Sequence, residues 1–234
     1  MIGCINKIET MGLVDGPGIR IVFFLQGCPL RCLFCHNPET WKKTTSCLQM
    51  TPEQVVEKIL HYQNYFGEEG GVTFSGGEPL FQSAFLLETL KLCKEAGIHT
   101  CLDTSGVGKN IEEILDYTDL ILLDVKALGE KEYKKMTGYT MKPFEKFLKL
   151  CETKKKRVWI RQVMIPTIND TKEYIRALKE YLKPYQCIEK IELLPYHTMG
   201  INKYKDLKLP YRLTGIVAMD REQCQELEKI LQEE

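Results

Sequence analysis

Apolar residues run almost without interruption from Ile19 to Leu25, the pattern of a parallel strand covered on both faces. Shorter apolar runs recur at Val72-Thr73-Phe74, His99 to Leu102, Leu120 to Leu123, Val158 to Met164 and Ile188 to Leu194. Between them the period lengthens to that of a helix. Val55, Val56, Ile59, Leu60 and Phe66 follow Thr51-Pro52-Glu53-Gln54, which reads as an N-cap, a proline at the first helical position and a capping-box partner. Phe85, Leu86, Leu90 and Cys93 share one face of a second helix that stops at Gly97. Asn110 to Tyr117, Pro143 to Cys151 and the Ile175, Leu178, Leu182 stripe after Thr171 continue the series, and Asp220 and Gln223 open a closing helix through Leu231. The opening Gly3 to Ile8 alternates only weakly, as a short edge strand, before Asp15-Gly16-Pro17-Gly18 turns the chain into its first strong strand.

Six strands alternating with helices make a run of βα units, whose right-handed crossovers lead either to an open doubly wound sheet or to a barrel. The polar motifs decide between these. They all lie at or just past strand C-termini, and a barrel brings every such end to one mouth. The pattern therefore predicts an α/β fold with a partial (β/α)6 barrel of parallel strands. Fewer units than the eight of a closed barrel leave a lateral gap through which a large substrate can enter. One domain over residues 1–234 is expected, with the barrel at about 15–200 and the closing helix at about 220–232.

Composition narrows the function classes. With 32 basic and 32 acidic side chains, net charge gives no argument for nucleic acid or an anionic membrane as partner. No apolar run approaches the ~20 residues that span a bilayer, and no export signal follows Met1. A cytoplasmic, reducing location is the expectation. Ten cysteines is a high count, and Cys4, Cys47, Cys93, Cys101, Cys151, Cys187 and Cys224 lie singly. Of these, Cys93, Cys101 and Cys224 fall within apolar patterns and read as buried thiols.

The other three cysteines stand together directly after the first strand, in Gly27-Cys28-Pro29-Leu30-Arg31-Cys32-Leu33-Phe34-Cys35-His36-Asn37. A structural zinc or an ordinary iron–sulfur cluster takes four protein ligands, so three thiolates imply an iron left open for another ligand. A disulfide with a spare thiol conflicts with a reducing location. Zinc completed by His36 would need two adjacent residues to turn toward one tetrahedral ion.

The remaining motifs each have a plain structural reading. Ser75-Gly76-Gly77-Glu78-Pro79 can be a strand-to-helix turn; at a barrel mouth its glycines also admit a ligand and Glu78 offers an acceptor for an ammonium. Asp103 and Thr104 can cap a helix, and Asp124 and Lys126 can form a surface pair worth little. Converging on one mouth, they suit a ligand with hydroxyls, an amine and a carboxylate, with a small cation between the acids. A lone His197 is more often structural, but it sits at the sixth strand end.

Cys28-x3-Cys32-x2-Cys35 with Phe34 before the third cysteine, followed by Gly76-Gly77-Glu78, resembles the radical S-adenosylmethionine superfamily. More narrowly, Asp15 to Arg20, Cys35-His36-Asn37, His99 to Thr104, Val158 to Arg161 and Ile191 to His197 resemble the family of pyruvate formate-lyase activating enzymes. This resemblance implies a [4Fe–4S] cluster on Cys28, Cys32 and Cys35, with the fourth iron chelated by S-adenosylmethionine. It implies contacts to that cofactor from Phe34, Cys35, His36, Asn37, Gly76, Gly77, Glu78, Asp103, Asp124, Val125, Lys126, Arg161 and His197. Asp103, Thr104, Asp124 and the Leu122 carbonyl would hold a monovalent cation, Na+ or K+, and Arg161 and Asp15 would lie by the reacting groups. The implied reaction is reductive cleavage to a 5′-deoxyadenosyl radical that takes hydrogen from a glycine of a glycyl-radical enzyme. Flavodoxin or ferredoxin would be the electron donor, and a monomer is expected. The stretch from Trp41 to Thr51 is too short for an inserted ferredoxin-like segment, which favours pyruvate formate-lyase as partner. The rival readings are a radical enzyme acting on another glycyl-radical enzyme or on a small molecule, and a metal-binding scaffold or sensor.

Overall fold

The computed structural model describes residues 1–44 and 46–232. The chain opens with β1 (Gly3–Gly12) and β2 (Arg20–Leu25), and β3 (Leu48–Met50) follows the three-cysteine loop. Then come α1 (Pro52–Leu60), β4 (Gly71–Gly76), α2 (Ser83–Glu95), β5 (Thr100–Thr104), α3 (Ile111–Asp116) and β6 (Leu120–Asp124). The series ends with α4 (Glu130–Thr137), α5 (Lys142–Thr153), β7 (Arg157–Met164), α6 (Lys172–Leu182), β8 (Ile188–Pro195), α7 (Ile201–Asp206) and α8 (Arg221–Gln232).

Among the described residues the strands form one open 8-stranded sheet in the order β3-β1-β2-β4-β5-β6-β7-β8. The six strands from β2 through β8 that alternate with helices pair in parallel, as the apolar runs predicted for a partial barrel. The expected short edge strand is longer, ten residues in β1, and antiparallel to β2. β3 pairs with β1 on its outer side; at three residues, two of them exposed, it carries too little apolar pattern to be read from sequence. α4 and α7 were likewise not expected, because each is short and polar apart from Tyr133, Met136, Ile201 and Tyr204. Among the described residues no helix is long and apolar enough to cross a membrane.

That second pairing corrects one reading. Opposing Cys4 to Gln49 in the β1–β3 ladder brings Cys47 beside Cys4, and the two form a disulfide across a separation of 43 residues. Neither is a lone cysteine; their proximity comes from a strand register that spacing along the chain does not reveal.

The main core lies between the outer face of the sheet and the helices. Val55 and Ile59 of α1, Leu86, Leu90 and Cys93 of α2, Phe144, Phe147 and Leu148 of α5, and Ile175 and Leu178 of α6 are buried there. Each such side chain contributes roughly 1.5–3 kcal/mol. Inside the barrel a small cluster of Cys101, Leu120 and Leu122 packs with Trp159.

Beside it sits Arg20, fully buried. Its guanidinium donates to Thr73 Oγ1 at 2.7 Å, to the Val72 carbonyl at 2.7 Å and to the carbonyls of Pro17 and Glu69 at 3.1 and 3.2 Å. Thr73 Oγ1 in turn donates to the Asp15 carbonyl at 2.6 Å. One buried side chain therefore ties the Asp15–Gly18 turn to two strands. Arg20→Met should leave these carbonyls without donors and lower the free energy of unfolding by about 2–4 kcal/mol, read as a lower urea midpoint with an unchanged m-value.

Candidate active site

The site is built where the three-cysteine loop meets the glycine turn after β4. The Gly77 amide donates to the Leu25 carbonyl at 2.8 Å and the Glu78 amide to the Gly27 carbonyl at 2.9 Å. A Cβ on Gly77 would come within 2.5 Å of the Gly27 carbonyl, and one on Gly76, whose φ is +117°, within 2.3 Å of the Leu25 nitrogen. The glycines are needed first for this backbone contact. On its other side the loop is held by α4, whose Thr137 and Met136 carbonyls accept the Arg31 and Leu33 amides at 2.7 and 2.9 Å. Cys32 lies between those two anchors.

Loop and turn enclose a cavity of about 320 Å³ at the C-terminal mouth of the strands. Cys28, Cys32 and Cys35 all line it, with Phe34, His36 and Asn37 from the same loop and Gly76 and Gly77 from the turn. Asp103 and Thr104 from β5, Asp124 and Lys126 from the end of β6, Arg161 from β7 and Asp15 complete the predicted residues that reach it. The parallel register does this, setting Asp124 opposite Arg161 and Thr104 opposite Leu123.

Four predicted residues do not face the cavity. Glu78 is buried behind its wall, its carboxylate taking the hydroxyls of Thr104 and Ser105, the Ser105 amide at 2.8 Å and the Leu80 amide at 3.1 Å. With its acceptor positions used in this way, it braces the β4 and β5 ends and offers no free oxygen to an ammonium, contrary to expectation. Val125 is buried, with its amide on the Arg161 carbonyl at 2.8 Å. The Leu122 side chain belongs to the barrel interior. His197 stands one layer back, stacked on His36 with ring centroids 3.7 Å apart. His36 Nε2 donates to the His197 carbonyl at 3.0 Å. Burial, reinforced by His197, pushes His36 down to about 4, so its ring is neutral near pH 7.

Sequence reasoning missed Ser75, Ser105, Trp41, Val163 and Leu194 in the lining. Strand alternation gave a signal for Val163, two residues after Arg161. Leu194 is its register partner on β8, which no one-strand pattern reveals.

The electrostatics of the cavity are those of buried, opposed charges. Lys126 Nζ lies 2.6 Å from Asp124 Oδ2 and 5.4 Å from the Phe34 ring centre. Arg161 donates to the Val14 carbonyl and reaches Glu192 at 3.3 Å and Asp103 at 3.9 Å. Ser75 donates to Asp103 at 2.6 Å. Burial nevertheless pushes Asp103 up to about 6, against the pull of Arg161 and with help from Asp124. Asp15 is also raised by burial, with Arg161 opposing. Among the thiols, burial raises Cys28 and Cys35 and pushes Cys32 up to about 12. Three thiols on one cavity, with no fourth cysteine among the described residues of its lining, form a donor set that fits an iron–sulfur cluster with one iron left open to another ligand. Lys126 carries three donors, of which Asp124 takes one, and is placed to meet a carboxylate beside it.

A model of the radical SAM superfamily matches residues 22–182. The pyruvate formate-lyase-activating enzyme of Clostridium pasteurianum is 53% identical, over 100% of this chain and 98% of that protein. Its counterpart in Staphylococcus epidermidis is 42% identical over 96% and 93%. A solved domain of pyruvate-formate lyase-activating enzyme from Bacteroides vulgatus matches with a TM-score of 0.57 at 26% identity, over 70% of this chain and 93% of that one. With the cysteine triplet and the cavity on the same mouth of the sheet, the chain belongs to the radical SAM superfamily and, within it, to the family of pyruvate formate-lyase-activating enzymes.

Proposed function

We propose that this chain activates pyruvate formate-lyase by installing a radical on a glycine of that partner, and that the cavity described above is where it does so. The observation that carries the reading is the meeting of Cys28, Cys32 and Cys35 with Asp103, Asp124, Lys126 and Arg161 on one cavity, in a chain that matches such activating enzymes over its whole length. When bound, a [4Fe–4S] cluster and S-adenosylmethionine together supply a one-electron cleavage that yields a hydrogen-abstracting carbon radical.

The chain's own residues do the holding and excluding. Cys28, Cys32 and Cys35 would ligate three irons, and Lys126, Asn37 and the backbone at Gly76 and Gly77 would receive the polar groups of S-adenosylmethionine. Phe34 and the neutral His36, backed by His197, offer flat apolar surface without introducing charge. The Val125 amide is already spent on β7, so that residue would act by shaping the backbone between Asp124 and Lys126. Arg161 and Asp15 would meet the incoming glycine loop at the mouth. With no acid–base step in the reaction, the paired carboxylates serve as cation ligands: Asp103, Asp124, Thr104 and the Leu122 carbonyl would hold Na+ or K+. A cytoplasmic monomer reduced by flavodoxin or ferredoxin completes the proposal.

Replacing any of Cys28, Cys32 or Cys35 with alanine should reduce S-adenosylmethionine cleavage by more than about a hundredfold, beyond the loss expected for a supporting contact. The assay is release of 5′-deoxyadenosine under anaerobic reductant, with electron paramagnetic resonance of the partner. Undiminished cleavage would refute the cluster assignment. A radical on a different glycyl-radical enzyme, and none on formate lyase, would move the substrate alone.

The cation assignment has its own test, with a sign set by Asp103. An acid whose folded pKa is raised costs nothing below its unfolded pKa, costs progressively more as pH rises from there to about 6, and carries its full cost above that. A cation relieves that cost only where the acid is ionised. Na+ or K+ at matched ionic strength should therefore raise the free energy of unfolding by about 1 kcal/mol at about pH 8. The gain should vanish at about pH 5 and in Asp103→Asn, as measured by urea titration; an equal gain in that variant would defeat the assignment.

A further inference from the structure

The Cys4–Cys47 disulfide lies outside the cavity and takes no part in the activity proposed above. Among the described residues the other cysteines beyond the loop, Cys93, Cys101, Cys151, Cys187 and Cys224, are free and buried. In a reducing location a disulfide that does form is usually transient, so this pair calls for an explanation. Its two halves are held unequally. Cys4 is buried in β1, and the Gln82 side chain brackets it, accepting from its amide at 2.9 Å and donating to its carbonyl at 2.7 Å. Cys47 is half-buried, and its amide reaches the Thr44 carbonyl at 3.4 Å. The three-residue β3 that follows has Leu48 and Gln49 exposed. A thiol arriving from solvent therefore meets Cys47 first.

The surroundings of Cys4 also suit its sulfur without the partner. Cys4 Sγ lies 3.3 Å from Gln26 Oε1 and 3.5 Å from the Thr44 carbonyl. In the disulfide that sulfur has no hydrogen to give, whereas a Cys4 thiol would donate to these oxygens. The acceptors serve the reduced state and not the cross-link. The same residues lead to the cysteine loop. Thr44 donates its amide to Gln26 Oε1 at 2.9 Å, and the strap just before it supplies the Thr40 and Trp41 carbonyls that accept from the Gly27 and Cys28 amides at 2.7 and 3.2 Å. We propose that Cys4 and Cys47 form a reversible redox site, a dithiol–disulfide couple exchanged by thiols, whose oxidised state fastens the strap against the base of the cysteine loop. In the reducing direction one thiolate attacks the Cys47 sulfur, the Cys4–Cys47 bond breaks and Cys4 leaves as a thiolate. A second thiol attacks the mixed disulfide and frees Cys47. Two thiols are thereby oxidised to one disulfide, and their protons end on Cys4 and Cys47. Because the cross-link closes a separation of 43 residues, breaking it returns conformational freedom to the strap. The inference rests on the reducing location proposed above and not on the cluster.

The test equilibrates the folded full chain, before iron is added, with glutathione at a series of reduced-to-oxidised ratios in the absence of oxygen. Alkylation and peptide mass mapping then separate Cys4 and Cys47 from Cys28, Cys32 and Cys35. The pair should pass from disulfide to dithiol within the series, whereas a structural disulfide resists the glutathione pool. In the dithiol form the Gly27 and Cys28 amides should exchange with solvent deuterium about tenfold faster than in the disulfide form. Cys47→Ser should show the faster exchange at every ratio, and the wild type read in both states carries the test even where that variant fails to fold. A pair that stays oxidised at every ratio, or forms no Cys4–Cys47 bond at any, would overturn the redox site. Equal exchange in the two forms would overturn its hold on the loop. With no iron present, neither result bears on the cluster reading, which the cleavage assay decides separately.

Discussion

The structure depends on one backbone contact, that of the glycine turn after β4 with the loop that leaves β2. Two main-chain hydrogen bonds, from Gly77 to Leu25 and from Glu78 to Gly27, lock the start of the three-cysteine loop to the sheet. They form only because no Cβ stands between the two chains. From that contact the loop is carried across to α4, so that its three thiols are presented to one space. A pair of side chains could hold the same segments together, but long side chains flex and main-chain bonds between neighbouring strand ends do not.

Rigidity of this kind has an electrostatic purpose. The cavity collects Asp15, Asp103 and Asp124 against Arg161 and Lys126, and each of these charges is costly to bury. Where a partner was available the chain supplies one: Ser75 to Asp103, Lys126 to Asp124, the Val14 carbonyl and Glu192 to Arg161. Among the described residues the buried side-chain polar atoms left without a hydrogen-bond partner are Glu39 Oε2, His197 Nδ1 and the Tyr133 hydroxyl.

Glu78 shows how a motif can be right in place and wrong in role. Its position after the glycines suggested a direct ligand, yet its carboxylate gathers donors from Thr104, Ser105 and Leu80 and ties the β4 end to the β5 end. Its contribution to the site is to keep Gly77 on one side and Thr104 on the other in place. The segment after the loop is fixed in a comparable way. Gln26 accepts from Thr44 at 2.9 Å, and Gln82 bonds both Cys4 and the Gln26 carbonyl, so the strap running to Cys47 is fastened beneath the cysteine loop.

The amino-acid pattern alone determined the six parallel strands, the alternation with helices and the strand-end placement of Cys28 to Cys35, Asp103, Asp124 and Arg161. These follow from apolar runs of strand length, caps such as Thr51 and Thr171, and periodicity, all of which act over a few residues. What lay beyond it was every feature that depends on register between distant strands: the Cys4–Cys47 pairing, the partnership of Leu194 with Val163, and the choice of Glu78 as brace and not ligand. The orphaned hydroxyl of Tyr133 belongs with them, since it lies on a short polar helix that no periodicity marks. Local sequence carries the energies of single elements, whereas which side chain is left without a partner is settled only when all the elements have packed.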